Sequence, residues 1–185
     1  MPEIIILNEY EINSDSLLKM MYNENYMKYL IKNTEDFNDY KIVKKKLINN
    51  ETQNNLYVET NTICCIKLPN YIKKIIGNYS SYTTTSKATY NIKEKSAQVN
   101  IESFYFKLLL LTINYSFTIN NIDNNKCIRK TKFYFNSSIP IIGNKINNII
   151  KDIIKTQENN IYEVESKWIK QEQNKMIKDD VKLLV

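Results

Sequence analysis

The chain has no histidine. That removes Ser-His-Asp and Cys-His nucleophilic systems, histidine-based zinc sites and the usual proton carrier at neutral pH. Its two glycines are too few for a Gly-rich phosphate cradle. The three cysteines, Cys64, Cys65 and Cys127, lack metal-ligand spacing, and their odd number fits a reduced compartment better than a disulfide framework. Cys64 and Cys65 are adjacent and would point to opposite faces of a strand. No apolar run approaches the ~20 residues of a membrane span; the longest, Leu108 to Leu111, reads as part of a strand. MPEIIILNEYEIN carries a Glu ahead of its apolar run and no small-residue cleavage site, so it does not read as a signal peptide. The expected location is intracellular and cytoplasmic. Asn50, Asn78, Asn114 and Asn136 open Asn-X-Ser/Thr triplets, which so Asn-rich a chain produces by chance.

What the chain does have is asparagine, isoleucine, lysine and tyrosine, all with codons made only of A and T. Its 185 residues suit one domain with a sizeable core. A net charge of +6, from 26 basic and 20 acidic residues, is spread without a block of five like charges. Such an excess favours anionic surfaces without choosing between nucleic acid and acidic lipid.

Ile4 to Glu11 reads as a strand. Asn13 and Ser14 are capping types, and Leu17, Leu18, Met21, Met27, Tyr29 and Leu30 then recur near helical spacing, broken at Asn23 to Asn25 into two short helices. Strands begin near Tyr40, with Leu56, Val58, Thr60, Thr62, Cys64 and Ile66 sharing one face. PNYIKKIIG (Pro69 to Gly77) reads as a short amphipathic helix, started by Pro69 and ended by Gly77. Four more strands are predicted over Tyr79–Ile92, Ala97–Tyr105, Leu108–Ile119 and Cys127–Phe135, linked tightly enough for an antiparallel meander. Ile142, Ile146, Ile149, Ile150, Ile153, Ile154, Ile161, Val164 and Trp168 follow three-and-four spacing, which predicts a helix from about Ile141 to Lys170. Glu163, Glu165, Lys167 and Lys170 are placed away from that stripe. Pro140 suits the first helical turn, and Gly143 would let the helix start pass close to the sheet. The whole is one α+β domain over 1–173, with a charged tail over 174–185. A curved antiparallel sheet of six to seven strands wraps around a long C-terminal helix and leaves a gap between them that becomes a pocket.

This order resembles the helix-grip fold of the START-like, pollen-allergen-like superfamily. SIPIIGNKINNII (Ser138–Ile150) is similar to the strand-to-helix junction of an uncharacterised START-like family, which opens its last helix with an "IPLVGGKIEKLI"-type sequence. Asn144 stands where that family often has a second glycine. KLPNYIKKIIGNYSSY (Lys67–Tyr82) resembles the same family's Leu-Pro, short helix, Gly, aromatic segment, and also the corresponding part of PRELI-type phospholipid carriers. The resemblance implies a cavity for a lipid, sterol, polyketide or similar ligand. The superfamily contains enzymes too, so fold alone leaves function open.

Candidate cavity residues are Val58, Tyr82, Tyr90, Ile113, Tyr115, Phe133 and Phe135 on strands, with Ile146, Ile150 and Ile153 on the helix. Tyrosine hydroxyls among apolar side chains would orient a ligand. Arg129 shares a face with Phe133 and Phe135; turned inward it needs a partner, for which an anionic lipid headgroup is suited, whereas an exposed strand end would leave it solvated. Lys73 and Lys74 among Ile72, Ile75 and Ile76 form either a gate that touches an anionic membrane transiently or a cap over the core. Basic charge with sheet aromatics also describes RNA-binding sheets, but a helix laid over the apolar face leaves no platform for base stacking, so no nucleic-acid partner is expected. The reading is a monomer without cofactor, metal or catalysis that binds, and in one version transfers, a lipid or other hydrophobic molecule. The alternatives are an interaction scaffold with a filled core and a vestigial enzyme. Buried, mutually close carboxylates inside a cavity would favour the enzyme.

Overall fold

The structure is a computed structural model that describes residues 2–35, 37–50, 53–64, 70, 73–74 and 81–182. Side chains at 49, 50, 53, 54 and 176–182 are outside the description. Chain order gives β1 (Glu3–Tyr10), α1 (Ser14–Met21), α2 (Glu24–Asn33), β2 (Phe37–Asn50), β3 (Gln53–Cys64), β4 (Tyr82–Asn91), β5 (Ser96–Glu102), α3 (Phe104–Leu108), β6 (Leu111–Asn121), β7 (Cys127–Ser137) and α4 (Gly143–Lys182). The two short helices start as expected. Asn13 accepts the Ser16 N–H, and Asn23 accepts those of Asn25 and Tyr26, which satisfies donors that a first helical turn leaves open.

Seven strands form one antiparallel sheet in the order β1-β7-β6-β5-β4-β3-β2. Two-residue alternation fixes its inner face. On β6, Leu111, Ile113, Phe117 and Ile119 are buried and Tyr115 is half-buried. Opposite them on β7, Phe135 pairs with Ile113, Phe133 with Tyr115, Thr131 with Phe117 and Arg129 with Ile119. The same face continues through Val58, Ala88 and Val99, each paired with the next across β3, β4 and β5. The long helix α4 lies over this face.

Two apolar clusters hold α4 down. One joins Ile146, Ile150 and Ile154 to Ile4, Leu109, Leu111, Phe133 and Phe135. The other gathers Val164 and Ile169 with Tyr10, Leu17, Leu18, Tyr26 and Leu30, so α1 and α2 brace the far half of the helix. The corner that folds α4 back is tight, as the sequence suggests. A Cβ on Gly143 would lie 2.5 Å from the Ser137 carbonyl oxygen, so only glycine fits there. Asn147, one turn further on, accepts the Ser137 N–H at 2.7 Å and ties the helix to the end of β7.

Three boundaries differ from the sequence reading. Phe104–Leu108 is a short helix, not strand, and Leu110 adopts φ 43 before β6 begins at Leu111. With Lys107 as its one polar residue, Phe104–Leu110 has no two-residue alternation to hold it as strand, and it turns the chain instead. Pro140 and Ile141 precede the helix, Ile141 with φ 70 and its side chain in solvent, and the first turn opens at Gly143. The helix then runs past Lys170, and its 40 residues span roughly 60 Å. Among the described residues no helix is long and apolar enough to cross a membrane.

Candidate functional site: a cavity beneath the long helix

Between the concave sheet, α2 and α4 lies a cavity of about 300 Å³. Val58, Tyr82, Tyr90, Ile113, Tyr115, Arg129, Phe133, Ile150 and Ile153 all contribute to its wall. Ile146 and Phe135 do not; both are sealed in the core where α4 meets β6 and β7. Lys73 and Lys74 lie in a helical turn, while Ile72, Ile75 and Ile76 lie outside the described residues. Tyr22, Tyr40, Tyr90 and Tyr115 are among the tyrosines that bring rings and hydroxyls to a lining of aliphatic, aromatic and threonine side chains. Burial raises the Tyr90 and Tyr115 hydroxyls above their ordinary pKa and that of Tyr40 to about 12, so all three are neutral donors at physiological pH.

The charged end of the cavity departs most from the sequence reading. Glu165, placed away from the apolar stripe in the sequence reading, is 2% exposed. Arg129 is 3% exposed, which excludes the solvated strand end. Its Nη1 donates to Glu165 Oε1 at 2.7 Å, and its Nη2 lies 3.5 Å from Glu158 Oε2. Two tyrosine hydroxyls complete the shell of Glu165, that of Tyr10 at 2.5 Å and that of Tyr26 at 3.3 Å. The Arg129 guanidinium also stands 5.3 Å from the Tyr10 ring centre. The partner that Arg129 needs is therefore built into the protein, and no anionic headgroup is required for it. Burial works against its charge, but Glu165, Tyr10 and Glu158 outweigh that and keep it firmly protonated.

The two glutamates are not equivalent. Glu165 accepts three hydrogen bonds and is satisfied. Glu158 also lines the cavity, yet its buried Oε2 accepts none. Burial pushes the Glu158 carboxyl up to about 7, helped by the negative charge of Glu165 and resisted by Arg129. Arg129 Nε and Thr131 Oγ1, on the same strand face, are likewise buried without a hydrogen-bond partner. A carboxyl that changes charge near neutral pH, inside an apolar chamber, can donate or accept a proton there.

Two signals in the sequence point to this cluster. Arg129 is the only arginine among 26 basic residues. Glu158 and Glu165 occupy the positions that continue the spacing Ile146, Ile150, Ile154, Ile161 along the buried seam.

No protein-family model matches the chain, and no curated protein matches it significantly. Solved structures do. A START superfamily protein from Mycobacterium smegmatis is 8% identical with a TM-score of 0.56, over 86% of this chain and 94% of that one. The Zhui aromatase/cyclase from Streptomyces sp. R1128 is 5% identical with a TM-score of 0.61, over 92% and 94%. Norcoclaurine synthase from Thalictrum flavum is 12% identical with a TM-score of 0.58, over 91% and 86%. The chain thus has the helix-grip fold of the START-like, pollen-allergen-like superfamily. Two of these three are enzymes by name, which overturns the expectation of a non-catalytic protein: the fold hosts enzymes and does not by itself settle whether a chain is one.

Proposed function

We propose that the chain binds a compact hydrophobic or amphipathic small molecule in the cavity between the sheet and α4. The observation that supports this is the cavity itself: about 300 Å³ of unfilled space between the two apolar clusters that hold α4 to the rest of the fold. Filled cores leave few voids larger than a water molecule, so a chamber of this size works against the scaffold reading. It sits at the lower end of the roughly 300–1,000 Å³ of small-molecule sites. A ligand with one ring system or one short chain suits it, and a two-chain phospholipid of the kind moved by PRELI-type carriers does not.

Ile150 stands on the helix side of the cavity wall. Replacing it with Trp should fill empty space, leaving stability within about 1 kcal/mol while titration with the neutral fluorophore N-phenyl-1-naphthylamine shows weakened binding. Overpacking a solid core would instead cost about 1–3 kcal/mol. If the native chain binds no fluorophore and the Trp variant is destabilised by that amount, the cavity reading fails.

A second reading rests on Glu158. A carboxyl poised at about 7 beside a bound molecule can move a proton to or from it, which is the minimum for acid–base chemistry on the ligand.

A further inference from the structure

Among the described residues that line the cavity, three carry charge: Arg129, Glu158 and Glu165. That is one cation and two carboxylates, with no lysine among these described residues. Arg129 and Glu165 form a close, hydrogen-bonded pair, which leaves Glu158 as the surplus. Its Oε2 lies 3.5 Å from Arg129 Nη2 and accepts no hydrogen bond. An anionic ligand would add a third negative charge around a guanidinium already shared by two. The chamber is therefore mismatched to fatty acids and phosphates. A protonated amine would meet the opposite situation, with an unsatisfied carboxylate for its N–H groups and tyrosine rings around it to accept a cation.

We propose that the cavity selects a cationic amphiphile: a primary or secondary ammonium on an aromatic or short aliphatic body, with the ammonium on Glu158. This rests on the cavity being a ligand site and specifies the chemistry of its occupant.

The groups that face Glu158 fix how binding depends on pH. Arg129 comes from β7, Tyr115 from β6 and Tyr10 from β1, with Glu165 two turns along α4. Arg129 stays charged, and burial holds both tyrosines neutral well beyond neutral pH. Glu158 is thus the member of the group that titrates near 7. Without a ligand the site relieves its surplus charge by taking up a proton. An ammonium takes that proton's place, so below about pH 7 each molecule bound releases one proton to solvent.

Three naphthalene derivatives of similar shape and different head test this: 1-naphthylmethylamine, 1-naphthalenemethanol and 1-naphthoic acid. Each is titrated calorimetrically into the intact protein between pH 5.5 and 8.5, alongside N-phenyl-1-naphthylamine. The amine should bind at least tenfold tighter than the alcohol at pH 8, and the acid weakest. The amine's affinity should rise about tenfold per pH unit up to about 7 and then level, as proton displacement requires, while the alcohol's stays flat. In Glu158→Gln, with folding checked by its melting curve, the amine should fall to the level of the alcohol. An alcohol or acid that binds as well as the amine overturns the ammonium site while the fluorophore still reports a working cavity. A chain that binds none of the four overturns the cavity itself.

Discussion

Glu158 and Glu165 share a helix, a residue type and a single arginine, and the structure predicts opposite outcomes when each becomes glutamine. Glu165 is the partner of Arg129 and accepts the hydroxyls of Tyr10 and Tyr26. Glu165→Gln keeps the shape but leaves a buried guanidinium short of its nearest countercharge. Removing one member of a buried pair costs about 3–5 kcal/mol. Here Glu158, 3.5 Å from the other guanidinium nitrogen, recovers part of that by ionising towards Arg129, so about 2–4 kcal/mol is expected. Glu158→Gln removes a carboxyl that the fold already prefers neutral. A rise from 4.5 to about 7, at 1.36 kcal/mol per unit, means that ionising Glu158 costs the folded state on the order of 3 kcal/mol.

The sign of the pH dependence follows. The folded pKa lies above the unfolded one, so between about 4.5 and about 7 the folded chain holds a proton that the unfolded chain has released. The contribution of Glu158 is therefore most favourable below about pH 4.5, declines as pH rises to about 7, and is level above that. Glu158→Gln should exceed the native chain by only about 1 kcal/mol at pH 5 and by about 2–3 kcal/mol at pH 8. Urea unfolding at pH 5, 6, 7 and 8 measures both variants against the native chain. If Glu158→Gln loses as much stability at pH 8 as Glu165→Gln, the two carboxylates are equivalent ionised partners of Arg129 and the surplus-charge argument collapses.

Gly143→Ala places a methyl group against the Ser137 carbonyl and should cost about 1–3 kcal/mol in thermal or urea unfolding; an unchanged midpoint would show that the corner has room. Arg129→Lys keeps the charge but loses the fork that reaches both glutamates, and should cost about 2 kcal/mol with a Glu158 pKa that NMR titration finds altered. Asn147→Ala leaves the Ser137 N–H without its acceptor and should lower stability by about 1–2 kcal/mol, with faster amide exchange at Ser137 as the local readout.

Much of the architecture was legible because it is periodic. The alternation from Leu109 to Ile119 and the three-and-four recurrence from Ile142 to Trp168 assign faces whatever the residues do next. The connection at Phe104–Leu110 was not legible, because a run with Lys107 as its one polar residue shows no two-residue phase. The site was half legible for a related reason. Val58, Tyr82, Tyr90, Ile113, Tyr115 and Phe133 were placed on the inner face because aromatic and aliphatic residues at inward positions declare themselves, and they line the cavity. Glu158 and Glu165 were passed over because a carboxylate defaults to solvent, although both stand in the same helical register as Ile154 and Ile161. Arg129 was placed on the correct strand face, but its partners lie 29 and 36 residues away along the chain, a separation that no local pattern encodes.

The cluster also explains how a chamber survives in so apolar a core. Left to itself a long Ile-rich helix would settle onto the sheet until no gap remained. Glu165 instead binds Tyr10 of β1, Tyr26 of α2 and Arg129 of β7, so hydrogen bonds of fixed length set the position of α4 against three other elements at once. The Asn147 and Gly143 contacts set its other end against β7. Between those two fixings Ile150, Ile153 and Ile154 pass over the inner face of the sheet beside the open space. A buried ion pair is a poor way to gain stability relative to apolar packing, and a good way to impose one geometry. Here the geometry imposed is a separation of helix from sheet. Of the charged groups that hold it, Glu158 alone is left without a donor, and it is on the wall of the space that the separation creates.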